Sequence, residues 1–90
     1  MGEIIVTAPY DGAELGRVTE TDAAGIEAAL SNAHALYRDR GKWLSKATRI
    51  EILRKAAEII RERREDLARA SAQEGGKPYP DSLVEIDRGA

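Results

Sequence analysis

Cysteine is absent from these 90 residues and aromatic side chains are few, with no phenylalanine, one tryptophan and three tyrosines. Without cysteine the chain can form neither a disulfide framework nor a thiolate metal site. Fifteen residues are alanine, and alanine buries little area, so an independent core would be thin. A chain of this length forms at most one small domain, which typically buries about 60–65% of its unfolded surface.

The chain also lacks an excess of charge of one sign and any long apolar run. Charged residues make up 33% of it, yet the formal net charge is only −2, so we expect no field that attracts nucleic acid or an anionic membrane. No stretch approaches the roughly 20 apolar residues of a membrane-spanning helix. The start, Met1-Gly2-Glu3, lacks the basic residues of a signal peptide. We therefore expect a soluble, cytoplasmic protein.

The first twenty residues carry the features of a β-hairpin. Residues 4–7 are four β-branched residues in a row, which is typical of a strand. Residues 9–12, Pro-Tyr-Asp-Gly, suit a turn. Residues 14–19 predict a return strand with a bulge at Gly16, since a glycine inside a strand often marks one. The sequence thus predicts a hairpin over about residues 3–19, which is too small to be stable alone.

After residue 20 the apolar residues recur with helical spacing. Helices are predicted over about residues 22–40, 46–62, 64–73 and 81–90, with Thr21 or Asp22 capping the first and Ser45 the second. Glycine favours helix ends, so Gly41 and the Gly75-Gly76 pair are predicted to lie outside helices. The apolar stripes are Ile26, Leu30, Ala33 and Leu36 or Tyr37 in the first helix, and Ile50, Leu53, Ala57 and Ile60 in the second.

Few side chains indicate chemistry. His34 is the only histidine. No Cys, Ser or carboxylate is spaced from it as in a catalytic set, so we expect it to be a surface or packed residue. We expect the Trp43 side chain to pack locally; the alternative is that it anchors an interface. The cluster Arg61, Arg63 and Arg64 is interleaved with acidic residues, which favours a solvated, ion-paired face over a phosphate site.

Two further polar features of the sequence are charged pairs along the helices and a glycine-containing turn. Outward pairs are predicted at i,i+4 spacing, each worth about 0.2–0.5 kcal/mol: Glu51 with Lys55, Arg54 with Glu58, and Glu65 with Arg69. The segment Gly75-Gly76-Lys77 lacks the upstream glycine and following Ser or Thr of a phosphate loop. It therefore predicts a helix stop.

Several motifs in order resemble the N-terminal part of the NAD(P)-dependent aldehyde dehydrogenases. They are Ala8-Pro9-Tyr10-Asp11-Gly12, Arg49-Ile50-Glu51-Ile52-Leu53, Ala56-Ala57, Arg63-Arg64-Glu65-Asp66-Leu67-Ala68, Glu74-Gly75-Gly76-Lys77-Pro78 and Leu83-Val84-Glu85-Ile86. The resemblance covers nearly the whole chain, whereas members of the family are several times longer. It implies that residues 1–90 are an N-terminal segment whose catalytic and most of whose cofactor-binding region lies elsewhere.

The resemblance implies an α/β parent enzyme with a Rossmann-type cofactor domain, to which this segment adds a β-hairpin followed by three or four α-helices. Such enzymes oxidise an aldehyde to a carboxylic acid with NAD or NADP, through a cysteine thiolate and a glutamate that activates water. Residues 1–90 contain no cysteine, so no catalytic or cofactor-binding residue is assigned to them. The segment is expected to be an inactive scaffold that binds no cofactor alone. Its expected partner is the remainder of the chain, in a homodimer or homotetramer.

Two further expectations stand beside this one. Some members of the family hold a structural monovalent cation with a carboxylate of the helix after Gly-Lys-Pro, and by resemblance Glu85 or Asp87 would supply it. Neither has the His or Cys partners of a transition-metal site. The alternative to the enzyme segment is a small, non-enzymatic helical module that associates through its alanine-rich faces.

Overall fold

A two-stranded hairpin precedes four helices in the computed structural model, which describes residues 2–90. The strands are β1, Glu3–Thr7, and β2, Glu14–Thr19. The helices are α1, Ala23–Arg38; α2, Lys46–Glu62; α3, Arg64–Gly75; and α4, Tyr79–Gly89. A short 3-10 turn, Arg40–Lys42, lies between α1 and α2. The predicted arrangement of a hairpin followed by three or four helices is confirmed, with four.

The hairpin is antiparallel and contains one bulge. Val6 lies opposite Gly16 and Thr7 opposite Glu14, so Leu15 is the extra residue. The bulge therefore falls one residue before the predicted position, and Gly16 is part of the regular ladder. The connecting turn is closed by the Gly12 amide, which donates to the Ala8 carbonyl at 2.8 Å.

Side-chain caps begin the first two helices. The Asp22 carboxylate accepts a 2.8 Å hydrogen bond from the Gly25 amide at the start of α1. The Ser45 hydroxyl accepts one of 3.1 Å from the Thr48 amide at the start of α2. Each cap satisfies an amide that has no partner within its helix.

The end of α1 differs from the prediction. The helix stops at Arg38, because Asp39 leaves the helical region with φ −101° and ψ 81°. Gly41 then lies inside the 3-10 turn, where the Lys42 amide donates to the Asp39 carbonyl at 3.1 Å. The predictions that this helix runs to residue 40 and that Gly41 lies outside helices are wrong, because the chain tightens into 3-10 geometry before the glycine is reached.

The two glycines after α3 have different conformations. Gly75 is the last residue of α3, so its predicted place outside the helices is wrong. Gly76 is left-handed, with φ 64° and ψ 30°, and its amide donates to the Ala72 carbonyl. A left-handed residue just past the last turn ends the helix and satisfies an otherwise free carbonyl. Of these two residues, Gly76 is therefore the one that needs to be glycine for conformational reasons.

The fourth helix begins at Tyr79, two residues before the predicted start at residue 81. Pro80 lies within its first turn, where the amide it lacks would have no helical partner and where its fixed φ suits the helix.

The core is small and consists of small side chains. Ala68 on α3 and Ser82 on α4 are fully buried, and Ala8 after β1 is nearly so. The helices α3 and α4 pack along each other, and small residues at such a contact allow close approach. The Ser82 hydroxyl has no hydrogen-bond partner within residues 2–90.

Much apolar surface stays exposed. The radius of gyration is 17.7 Å, against about 12 Å for a compact chain of this length. The accessible surface is 7480 Å², roughly 2,300 Å² more than a folded protein of this mass has. The chain buries about half of its unfolded surface, so the expected 60–65% is wrong for this segment.

The predicted inward face of α2 is among the exposed surfaces. Leu53 is 69% exposed and Ile50 is 38% exposed. On α1 no residue is buried, and its predicted stripe residues Ile26 and Leu30 are open to solvent. Within residues 2–90 the stripe of α1 and the Ile50 and Leu53 positions of α2 are therefore largely open to solvent, although α2 does contact α4.

The two adjacent glycines give a matched test of the turn. Gly76→Ala places a Cβ on a left-handed residue and should destabilise the protein by about 1–2 kcal/mol. Gly75→Ala should be neutral or stabilise by up to about 1 kcal/mol, because Gly75 is helical. Urea unfolding of the two variants measures the difference. Equal effects at both positions would rule out the left-handed cap at Gly76.

The unsatisfied hydroxyl of Ser82 gives a second test. Ser82→Ala should leave the free energy of unfolding unchanged or raise it, because the hydroxyl makes no hydrogen bond that could be lost. Ser82→Val adds volume at a closely packed contact and should cost about 1–3 kcal/mol. Thermal unfolding of both variants is the measurement. A loss of more than about 1 kcal/mol on Ser82→Ala would show that the hydroxyl has a partner.

Candidate functional site

The best-defined polar site lies at the α3–α4 turn, residues 76–78, where three elements meet. Gly76 faces Pro9 of the hairpin turn closely: a Cβ on Gly76 would lie 3.5 Å from the Pro9 Cβ and 3.6 Å from its Cγ. The Lys77 amide donates to the Ala72 carbonyl at 3.2 Å. The turn thus places the hairpin against the end of α3 and directs the Lys77 side chain toward α4.

Lys77 binds Glu85 on α4. Its ammonium Nζ lies 3.2 Å from both carboxylate oxygens, and about half of each side chain is exposed. An ion pair at this exposure contributes at most about 1 kcal/mol. The contact therefore fixes the direction of the Lys77 side chain more than it stabilises the fold.

Arg64 lies at the start of α3 and Asp87 lies near the end of α4, and their side chains join the two helices. The Arg64 Nε donates to Asp87 Oδ1 at 2.6 Å, and its Nη2 donates to Oδ2 at 2.9 Å. This two-point geometry is the favourable one for guanidinium and carboxylate. The hydrogen bonds from Arg64 hold the pKa of Asp87 below its ordinary value of 3.8. The same bonds raise the pKa of Arg64.

The two candidate carboxylates for a monovalent cation both bind cationic side chains of this chain. Glu85 faces the Lys77 ammonium and Asp87 faces the Arg64 guanidinium. Residues 2–90 bring together no group of three or more His, Cys, Asp or Glu side chains that could hold a metal ion. Both carboxylates thus form ion pairs with side chains of this chain. The monovalent cation remains a prediction from the resemblance.

The two isolated ring residues have ordinary surroundings. His34 lies exposed on α1. Trp43 is half-exposed and packs locally: its Nε1 donates to the Leu36 carbonyl at 2.7 Å, its ring centroid lies 6.1 Å from that of Tyr37, and the Arg40 guanidinium sits 5.3 Å from its centroid. Trp43 therefore packs against the end of α1 and the 3-10 turn, in agreement with the predicted packing role.

Among residues 2–90, Arg64 is the one member of the basic cluster that forms an ion pair, and the pairs differ from those predicted. Arg64 binds Asp87 rather than a neighbour on its own helix. On α2 and α3 the pairs are at i,i+3, with Lys55 and Glu58 3.5 Å apart and Asp66 and Arg69 3.7 Å apart. The predicted i,i+4 pairs do not occur among the salt bridges of residues 2–90, because the residue one position closer binds instead.

Neither of the two ion pairs that join α3, the turn and α4 was predicted. A signal was present, since two antiparallel helices joined at Gly76 bring together residues at similar distances on either side of it. Arg64 and Asp87 lie at nearly equal separations from Gly76, before and after it. Periodicity within one helix does not contain this information.

The ion pair across α3 and α4 makes an acid-sensitive contribution to stability. Because the pKa of Asp87 is lower in the folded protein, that contribution is complete above the unfolded pKa and is lost as the pH falls through the folded pKa. Asp87→Asn should therefore lower the Tm at pH 7 by a small amount, and the gap to wild type should close below about pH 3.9. Thermal unfolding across this range measures it.

A control and a salt test accompany that measurement. Glu51→Gln removes a carboxylate that makes no ion pair within residues 2–90, so the Tm at pH 7 should not change. High salt should shrink the Asp87→Asn gap, because the pair is half-exposed. A gap of the same size at pH 7 and well below pH 3 would contradict the ion-pair explanation.

Among residues 2–90 no helix combines the length and apolar character needed to cross a membrane.

The comparisons with known proteins agree with one another. The model of the aldehyde dehydrogenase family matches residues 2–90. The chain is 37% identical over 81 residues to a betaine aldehyde dehydrogenase of Cereibacter sphaeroides, a match that covers 90% of this chain and 17% of that protein.

Two further relatives show similar sequence identity and similar coverage. An aldehyde dehydrogenase of Paracoccus denitrificans is 37% identical over 80 residues, covering 87% of this chain and 15% of that protein. A 4-trimethylaminobutyraldehyde dehydrogenase of Oryzias latipes is 35% identical over 82 residues, covering 91% and 16%. The chain thus spans about one sixth of the length of the curated relatives it matches. The chain therefore belongs to the aldehyde dehydrogenase family and corresponds to the N-terminal segment of its members.

Proposed function

We propose that this segment is the N-terminal scaffold of an oxidoreductase that oxidises an aldehyde to a carboxylic acid with NAD or NADP. Membership of the family supports the reaction class, and the relatives are named as dehydrogenases of aldehydes. They are named for different aldehydes at nearly equal identity. The similarity over this segment therefore supports the reaction class rather than one substrate.

The observation that carries the scaffold proposal is the unburied apolar surface. The segment exposes roughly 2,300 Å² more than a folded protein of its mass. The exposed residues include stripes on α1 and α2, which are typical of faces that pack on other elements. Packing on the remainder of a longer enzyme chain would cover these faces and stabilise the segment.

A dinucleotide site of the usual kind needs a strand, a glycine turn and a helix N-terminus, and two features of this segment favour a different role. The Gly75-Gly76 pair ends a helix rather than following a strand. The N-terminus of α1 is occupied by the Asp22 carboxylate, which already accepts from the Gly25 amide. We therefore assign cofactor binding to the remainder of the enzyme.

The chemistry is likewise assigned to the remainder. The family's reaction, as the resemblance implies it, uses a thiolate nucleophile, and no cysteine is found in residues 1–90. In the proposed enzyme this segment holds neighbouring elements in place and touches no reacting atom. The proposal includes a cytoplasmic location and a homodimeric or homotetrameric parent.

The purified segment should neither bind NAD or NADP in calorimetric titration nor produce NADH from an aldehyde. The full-length product should do both under the same conditions. The physical reason is the absence of a thiolate nucleophile and of a dinucleotide-binding turn. Micromolar cofactor binding or turnover by the segment would overturn the scaffold role. A full-length product without aldehyde-dependent NADH formation would overturn the proposed reaction.

A further inference from the structure

The stretch that joins α1 to α2, residues 38–49, is strongly basic, and we call it the basic connector. It carries five basic residues and one acidic residue, a net charge of +4, whereas the rest of the chain carries nine basic and fifteen acidic residues, a net charge of −6. The five basic side chains are all exposed; they are Arg38, Arg40, Lys42, Lys46 and Arg49. The formal net charge of −2 therefore conceals a local positive field.

Most of this positive charge has no acidic partner within residues 2–90. Lys42 lies 3.6 Å from Asp39, and the other four basic residues of the connector form no salt bridge in this part of the chain. Lys46 is also the first residue of α2, whose first turn contains no acidic residue. The helix dipole disfavours a cation at that end. An anionic partner would compensate a charge that the fold itself leaves unbalanced.

Apolar side chains lie among these charges. Trp43 and Leu44 follow the 3-10 turn and are about half exposed, and Tyr37 near the end of α1 is more exposed still. The Trp43 Nε1 already donates to the Leu36 carbonyl at 2.7 Å, so the exposed part of this side chain is ring carbon that needs no polar partner. Exposed tryptophan and leucine beside lysine and arginine are typical of a surface that lies at the boundary between water and lipid.

We propose that the basic connector binds the surface of an anionic lipid bilayer. Trp43 and Leu44 enter the headgroup region, and the basic side chains contact lipid phosphates. A cluster of this size and charge matches the four to eight basic residues that mark attraction to anionic lipids. The inference goes beyond the proposed function, because it concerns where the enzyme is held and not which reaction it performs. It replaces the expectation, drawn from the net charge, of no attraction to an anionic membrane.

Two other partners fit the basic connector less well. Single-stranded nucleic acid stacks its bases on open aromatic faces, whereas the Arg40 guanidinium lies 5.3 Å from the centroid of the Trp43 ring, and Leu44 offers no face for stacking. Burial against the remainder of the enzyme would remove several charges from water, which is costly unless each finds a partner. The apolar stripes of α1 and α2 are better suited to that internal contact.

Co-sedimentation of the full-length product with lipid vesicles tests the proposal. Vesicles of phosphatidylcholine mixed with phosphatidylserine should bind the protein at low salt at least about 10-fold more strongly than vesicles of phosphatidylcholine alone, because several basic residues each add to the attraction. High salt should weaken the binding to the mixed vesicles, because exposed charges are screened.

Two double variants separate the connector from general charge. Lys46→Glu with Arg49→Glu should lower the partition onto the mixed vesicles by at least about 10-fold, and a carboxylate at the start of α2 should not harm the helix. Arg63→Glu with Arg88→Glu is the matched control, because it changes the net charge equally at exposed residues outside the connector that form no salt bridge within residues 2–90. The control should change the partition much less.

The apolar part of the contact has its own test. Leu44→Ala should lower the partition onto the mixed vesicles about fivefold, because its side chain leaves water on binding. An unchanged partition would show that Leu44 does not enter the bilayer and would overturn that part of the proposal.

The remaining outcomes distinguish the membrane from other partners and from the reaction. A full-length product that oxidises aldehydes without binding the mixed vesicles, or an equal loss of binding in the two double variants, would overturn the proposal. Binding of a single-stranded oligonucleotide without binding of vesicles would overturn it in favour of nucleic acid. A product that binds vesicles through the connector but oxidises no aldehyde would support this inference and overturn the proposed function.

Discussion

The left-handed conformation of Gly76 is the constraint on which the rest of the ordered structure depends. It ends α3, returns an amide to the Ala72 carbonyl and reverses the chain so that α4 packs back on α3. The close contact of fully buried Ala68 and Ser82 on these helices follows from that reversal. Gly76 also lies next to Pro9 of the hairpin turn, so that a Cβ on Gly76 would come within van der Waals contact of the proline ring. One backbone angle thus positions three elements.

Two ion pairs hold α4 against the elements that precede it. Arg64 of α3 binds Asp87, and Lys77 of the turn binds Glu85, two residues before Asp87 on α4. Because all four side chains are substantially exposed, their energetic contribution is small compared with the burial of the α3–α4 contact. Their effect is on orientation, since a two-point guanidinium–carboxylate contact is satisfied over a narrow range of positions.

Local chemistry in the sequence predicted the elements well, whereas contacts between elements were not predictable from it. The β-branched run, the caps at Asp22 and Ser45, and the stop after α3 are decided by residues within a few positions of each other. The end of α1 at Arg38 and the start of α4 at Tyr79 depend on backbone angles that these residue types alone do not determine. Arg64 and Asp87 pair only because of the turn between them. The outward exposure of Leu53 could not be predicted either, because an amphipathic stripe shows which face packs but not whether its partner is present.

The contact between Pro9 and Gly76 has a consequence for how the chain forms during synthesis. Its two sides lie near opposite ends of the segment, so the hairpin leaves the ribosome well before the turn that it packs against. At about 5–20 residues per second, synthesis of the intervening residues takes several seconds. A two-stranded hairpin forms in about 1–10 μs but is barely stable alone. The side chains of Ile4 and Ile5 are about half exposed even in the folded segment, so β1 presents apolar surface throughout that interval.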